Sequence, residues 1–307
     1  MVYKINNLMI IKIIKQIAVE DPKRIAICDE KEKVSYKMLE EKSELIARFI
    51  GSLSIKHKII ILICTRSVNT VIALVGILKA GCKYVPVEWS KNNFELKKIL
   101  NCIDNDAIIF ADNLATSPNV DFKSIFVSHI LLAAKNYNFK NKLPIPRNED
   151  IYINFTSGTT GKPKGVVVKT ESVDHYLSAV KERIDLPDKL VYAYLSNFST
   201  DLGNTSLFLS LVTGGELHIL EDLTRKDPNL FWNYIINNKI DFLKTTPSHF
   251  QALLCGIDKV KICLEYVLLG GEKFEINFAS KECARNNFRN FILNIRCCSS
   301  VISCNLI

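Results

Sequence analysis

Long apolar runs are missing from this 307-residue sequence. The longest, such as Ile59–Cys64 and Val71–Leu78, fall well short of the roughly 18–20 residues that cross a bilayer, so no membrane-spanning segment is expected. None of the 10 cysteines forms a C-x-x-C pair, and the 5 histidines stand apart from one another. Zinc and disulfide frameworks both need closer spacing, so neither a metal cluster nor a cystine scaffold is expected. Cys28, Cys64, Cys82 and Cys102 lie in or beside apolar stretches, as buried free thiols do, and reduced thiols point to a cytoplasmic protein. Net charge is +8, yet the 40 Lys and Arg are scattered among 32 Asp and Glu with no long basic run, so nucleic acid is not an expected partner. The basic start, Met1–Ile17, has no small-residue cleavage site after an unbroken apolar core and reads as an ordinary first helix. No Gly/Ser linker or internal repeat divides the chain. Hydrophobic residues make up 48% and charged residues 23%, which supports a sizeable core and excludes a disordered or collagenous chain.

What is present is an alternation of strand and helix patterns. Lys12–Val19 reads as a helix ended by Asp21-Pro22, followed by short strands at Arg24–Cys28 and Lys33–Tyr36. Leu39–Ile50 has helical spacing, with Gly51 a candidate C-cap. Ile59–Cys64 is apolar at every position, as a strand covered on both faces should be, and Val68–Lys79 reads as a helix stopped at Gly81. Further strands are expected at Ala107–Ala111, Tyr152–Phe155, Gly165–Val168, Val191–Leu195, Glu216–Leu220, Phe242–Thr245, Tyr266–Leu269 and Phe288–Asn294. Helices are expected near Glu171–Ile184, Leu207–Val212, Asn229–Asn237 and Ser248–Leu254. Thr116–Arg147 is polar and aperiodic and reads as connecting structure. The whole predicts a layered α/β fold, built as a single unit rather than two independent domains.

The sharpest local feature is the string from Phe155 to Gly165, directly after a predicted strand. It concentrates four hydroxyls (Thr156, Ser157, Thr159, Thr160), three glycines (Gly158, Gly161, Gly165) and two lysines (Lys162, Lys164). Glycines let backbone N–H groups approach an anion, hydroxyls donate to phosphate oxygens, and lysines add charge without a rigid fork. The string suits a polyphosphate. It is not a Walker A loop, which needs four residues between Gly and Gly-Lys, whereas two separate Gly158 from Gly161. The plainer reading is a solvated Gly/Thr turn between two strands.

These residues resemble the adenylate-forming superfamily, and within it the amino-acid adenylation domains of nonribosomal peptide synthetases. The resemblance continues in Val34-Ser35-Tyr36-Lys37-Met38-Leu39, in Leu78-Lys79-Ala80-Gly81-Cys82-Lys83-Tyr84-Val85-Pro86 and in Leu269-Gly270-Gly271-Glu272. It covers about residues 10–294 and implies the large N-terminal domain of such enzymes. It implies ATP and Mg²⁺, with Thr156–Gly165 holding the β- and γ-phosphates, and Gly270, Gly271 and Glu272 bordering the adenine. An amino-acid carboxylate attacks the α-phosphate, pyrophosphate leaves, and in the full assembly the aminoacyl group passes to the phosphopantetheine thiol of a carrier protein.

The resemblance also implies a substrate pocket. Phe198–Leu220 aligns without a gap to the family's fourth core motif, which places Asp201 where amino-acid-activating members pair the substrate α-ammonium. Position alone allows another role, since Asp201 precedes an apolar helical stretch that it could cap. The same alignment assigns Leu202, Thr205, Lys244, Leu268 and Gly270, a set that resembles domains activating asparagine, with aspartate next. Lys244 follows Phe242-Leu243, so it ends a buried strand and needs an acceptor, or else it snorkels to water.

After Phe291-Ile292-Leu293-Asn294 the family pattern stops, and residues 295–307 read as an off-pattern tail with three of the ten cysteines. The family's aromatic-Gly-Pro-Thr-Glu motif and its C-terminal catalytic lysine have no counterpart here, so no catalytic residue is assigned. A polypeptide of these residues alone is expected to adenylate poorly or not at all. An acyl-CoA ligase of the same superfamily and a non-catalytic nucleotide-binding remnant are the competing readings.

Overall fold

The computed structural model describes residues 9–53, 59–103, 107–112, 120, 124–133, 149–157, 163–255, 264–272, 290–293 and 305–306. α1 (Met9–Glu20) leads into β1 (Ile25–Cys28), β2 (Lys33–Ser35) and α2 (Tyr36–Gly51). Then come β3 (Ile59–Cys64), α3 (Val68–Lys79), β4 (Lys83–Glu88), α4 (Phe94–Leu100), β5 (Ile108–Ala111), β6 (Ser124–Phe126) and α5 (Val127–Ala133). β7 (Asp150–Ser157), β8 (Pro163–Lys169), α6 (Thr170–Arg183) and β9 (Val191–Tyr194) precede a 3₁₀ turn at Asp201–Gly203. α7 (Asn204–Val212), β10 (Glu216–Ile219), α8 (Pro228–Asn237), β11 (Phe242–Thr245), α9 (Pro247–Leu254), β12 (Tyr266–Leu269), β13 (Asn290–Leu293) and β14 (Asn305–Leu306) complete the order.

Two compact units form, where a single unit was expected. One takes the described residues of 1–24, 35–175 and 302–307, the other those of 25–34 and 176–301. The chain leaves the first unit at residue 25 and returns at residue 35, so the boundary is an interleaving of segments that no linker composition could announce.

The first unit has a seven-stranded sheet ordered β14-β8-β7-β4-β3-β5-β6. β3 pairs in parallel with β4 and β5, and β4 with β7, whereas β7 and β8 are antiparallel. Every residue of β3 after Ile59 is buried, as its unbroken apolar run implied. α3 is buried on nearly all sides, and Gly76 lets α2 approach it: a Cβ there would lie 2.6 Å from Ile46 Cγ2. Ser67 and Ser35 cap α3 and α2 by accepting from the N–H groups of Thr70 and Met38. Gly81 adopts φ 73° just beyond α3, the left-handed geometry that made it a helix stop.

The second unit has a sheet ordered β13-β12-β11-β9-β10-β1-β2, parallel at each pair from β13 through β1. Its core gathers Phe231 and Trp232 of α8, Phe250 and Leu253 of α9 and the inward residues of β9, β11 and β12. Trp232 Nε1 donates to the Leu253 carbonyl at 2.7 Å, which satisfies the indole in that apolar setting.

Several expectations need correction. Gly51 is the last helical residue of α2 and Ser52 is its cap, with right-handed φ −82°. Cys28, Cys64 and Cys82 are buried, but Cys102 is exposed. The stretch read as connecting structure contains β6 and α5, too short to show a period. β4, a strand not expected from the sequence, carries Pro86, which pairs with Leu62 of β3, while β4 meets β7 at Tyr84 and Tyr152. In the tail, Asn305 and Leu306 pair antiparallel with Val167 and Val166 of β8.

Candidate functional site

The hydroxyl- and glycine-rich string spans the turn of the β7–β8 hairpin. Phe155 pairs with Gly165, Thr156 with Lys164 and Ser157 with Pro163. Thr156 and Lys164 are exposed side by side at the open end of the ladder. Gly158, Thr159, Thr160, Gly161 and Lys162 lie outside the described residues. Gly165 has a packing reason of its own: a Cβ would come 3.2 Å from both Ile153 Cγ2 and Phe155 Cζ. The hairpin therefore delivers a hydroxyl and an ammonium to one rim, with no ion pair consuming Lys164 among the described residues.

The second group lies in the other unit, at the carboxyl ends of three neighbouring parallel strands, β9, β11 and β12, where α/β sheets hold ligands. Lys244 of β11 is 2% exposed, so it does not snorkel. Its Nζ donates to Thr205 Oγ1 at 2.9 Å and to the Tyr176 hydroxyl at 3.0 Å, and it makes no ion pair among the described residues. Thr205, buried in the first turn of α7, and Tyr176 of α6 are themselves 2.9 Å apart. Leu268 faces Lys244 in the β11–β12 register. Gly270 follows β12 and donates its N–H to the Thr245 carbonyl at 3.1 Å.

Asp201 opens the 3₁₀ turn without capping a helix. The cap residues there are Thr200 and Gly203, neither with a side-chain cap bond, and the Asp201 carboxylate accepts from its own backbone N–H. Burial pushes its carboxyl above the usual aspartate range, while the field of Lys244 works against that shift. Gly203, two residues on, packs under Tyr194 so tightly that a Cβ would sit 2.7 Å from the ring, which fixes where the turn and α7 begin.

The AMP-binding enzyme family matches residues 14–290 of this sequence. The chain belongs to that family. Among curated relatives it is 29% identical over 292 residues to bacitracin synthase 3 of Bacillus licheniformis, covering 92% of this chain and 4% of that protein. It is 28% identical over 270 residues to gramicidin S synthase 2 of Brevibacillus brevis, covering 83% of this chain and 6% of that one. The chain thus spans only a small part of the length of these relatives. Among solved structures, the nonribosomal peptide synthetase FmoA3 superposes with TM-score 0.81 at 16% identity, over 94% of this chain and 31% of that chain. The fused adenylation–carrier protein NpsA-ThdA from Klebsiella oxytoca gives 0.81 at 19%, over 99% and 61%. These likenesses establish the fold of the family's large domain.

Within this AMP-binding chain, the residues expected to border adenine lie close to the pocket set. Gly271 adopts φ 86°, and the position of a Cβ there is 3.9 Å from Leu202 Cδ1. Glu272 accepts from the Ser248 N–H and hydroxyl at 3.2 and 2.8 Å, at the start of α9. Tyr176, which joins Lys244 and Thr205 in their hydrogen-bonded cluster, is the residue that sequence reasoning missed. The structure also gathers Cys28, Glu216 and His218, whose ligand atoms lie within 4.8 Å of one another, where no metal cluster was legible. Glu216 Oε1 is 3.1 Å from His218 Nε2 and 3.6 Å from Lys33 Nζ, and burial with the Glu216 charge pushes the Cys28 thiol up to about 12. The acid is already compensated and the thiol stays protonated, so no metal site is assigned.

Proposed function

We propose that this chain is part of an amino-acid adenylation domain of a nonribosomal peptide synthetase, with residues 1–294 forming its incomplete large domain and 295–307 an off-pattern tail. ATP is held by Thr156, Ser157, Gly158, Thr159, Thr160, Gly161, Lys162, Lys164 and Gly165. Their hydroxyls and ammonium groups stabilise the charge that develops on the departing pyrophosphate. The string contains no carboxylate, so Mg²⁺ would arrive with the nucleotide, beside the hydroxyls of Thr156, Ser157, Thr159 and Thr160, and would neutralise phosphate charge there. Gly270, Gly271 and Glu272 border the adenine. Asp201 pairs the substrate α-ammonium, an ion pair that offsets the cost of its own burial. The substrate carboxylate oxygen attacks the α-phosphorus, the bond to the bridging oxygen breaks, and an aminoacyl adenylate remains for a carrier-protein thiol.

Lys244 faces the substrate side chain with Thr205, while Leu202, Leu268 and Gly270 limit its length. Asparagine is the preferred substrate and aspartate the next. The observation that carries this reading is the buried Lys244 ammonium, whose hydrogen-bond partners among the described residues are neutral hydroxyls. The names of the synthetase relatives support the wider assignment.

Binding and turnover test the reading separately. Calorimetry with ATP should show binding that Lys164→Ala weakens at least several-fold. Asparagine-dependent pyrophosphate exchange by the 307-residue polypeptide should be absent or very slow, because no catalytic lysine is assignable within it. Absence of any ATP binding would overturn the reading, and robust exchange would overturn the expected inactivity.

A further inference from the structure

Lys244, Thr205 and Tyr176 close a small ring of hydrogen bonds whose donors outnumber its acceptors. The ammonium carries three N–H groups, and it gives one to each hydroxyl. The hydroxyls are 2.9 Å apart, so one donates to the other. That leaves one N–H of Lys244 and one hydroxyl proton without an acceptor among the described residues. Lys244 is 2% exposed and Thr205 1%, so bulk water does not reach the surplus N–H of the ammonium, while Tyr176 is half-buried. A buried donor without an acceptor is costly, and here it belongs to a charged group.

We propose that Tyr176 is a positioning residue for Lys244, holding its ammonium so that Lys244 and a hydroxyl beside it donate together to one oxygen of the substrate side chain. The inference deepens the proposed pocket and rests on it. An oxygen with two in-plane lone pairs, the carbonyl of a carboxamide or one oxygen of a carboxylate, accepts both donors. An aliphatic side chain accepts neither and leaves the surplus buried. Tyr176 suits the task because its hydroxyl is within hydrogen-bond distance of both members, 3.0 Å from Lys244 Nζ and 2.9 Å from Thr205 Oγ1. The phenol reaches Lys244 from α6, across 68 residues of sequence, and so acts on the substrate only through the lysine. The site thereby takes short side chains ending in a carbonyl or carboxylate, and Tyr176 sets how strongly it rejects the others.

The test measures discrimination rather than affinity alone. The 307-residue chain is titrated calorimetrically with non-hydrolysable sulfamoyl adenosine analogues of asparaginyl, aspartyl and alanyl adenylate. The ratio of asparaginyl or aspartyl to alanyl affinity is the readout. The parent chain should favour an acceptor-bearing side chain, and Lys244→Met should erase that preference. Tyr176→Phe keeps the ring and removes the hydroxyl. It should cut the ratio about tenfold, with asparaginyl and aspartyl affinities falling much further than the alanyl affinity. Thr205→Val, the second probe should Tyr176→Phe not fold, should also reduce the ratio.

A purely structural role for Tyr176 predicts equal losses for all three analogues, and that result overturns the inference. An unchanged ratio in Tyr176→Phe beside a lost ratio in Lys244→Met overturns the positioning role and leaves the pocket standing. A ratio that survives Lys244→Met, or no binding of any analogue, overturns the pocket itself.

Discussion

Lys244 shows how a single buried charge separates stability from function. Its ammonium is removed from water, yet no carboxylate within ion-pair distance compensates it among the described residues. A buried ion without a counter-ion costs several kcal/mol of lost hydration, a cost that an apolar residue of similar volume does not carry. Lys244→Met should therefore melt no lower than the parent while losing its preference for acceptor side chains. A marked fall in melting temperature would show that the ammonium is structural.

Asp174, on α6, poses the opposite question about charge. Burial raises its carboxyl from 3.8 to about 6, with a backbone hydrogen bond from Met9 working against the shift. The folded state prefers the protonated acid. The stability it contributes is full below the unfolded value and is lost as pH rises through about 6. Asp174→Asn should raise the melting temperature at pH 8 by about 2 °C and leave it unchanged at pH 4. Equal effects at both pH values would contradict this. The burial of Asp174 was not readable from its neighbours in sequence. Lys244 was found through a motif alignment and its apolar flanks. Tyr176 was not found, because a helix residue whose partner lies 68 positions away leaves no local signal.

Among the elements, β3 and α3 were legible because burial on all sides writes continuous apolar runs, and β12 for the same reason. β6 and α5 were not, since three and seven residues carry too little period. The α2–α3 contact was also invisible, because a glycine in a helix reads as a defect until its neighbour is seen. Gly76→Ala tests that contact. In an exposed helix the change would stabilise by up to about 1 kcal/mol. Here the new methyl meets Ile46 Cγ2 at 2.6 Å and the Ser43 carbonyl oxygen at 3.0 Å, and a backbone atom cannot step aside cheaply. Overpacking of this kind costs about 1–3 kcal/mol and wins, so Gly76→Ala should lower stability in denaturant titration. Gly203→Ala, against the Tyr194 ring, should cost a similar amount and also disturb binding, because it displaces the turn that carries Asp201.

For the molecule as a whole, the layered α/β class followed from the alternation of patterns, but the division into two units did not. Residues 25–34 leave one stretch of chain to join the other unit's sheet through the β1–β10 pairing. Pairing such as that of Ile27 with Leu217 has no signature in composition or linkers. The functional reading likewise depends on two places far apart in sequence, the β7–β8 hairpin and the ends of β9, β11 and β12.

The measurement that bears most directly on the account is a comparison of two ligands by calorimetry. One is the sulfamoyl adenosine analogue of asparaginyl adenylate, and the other is the same molecule lacking only its α-amine. The account predicts at least tenfold tighter binding of the amine-bearing ligand, with Asp201→Asn removing the difference. Equal affinity of the unmodified chain for both ligands would contradict it.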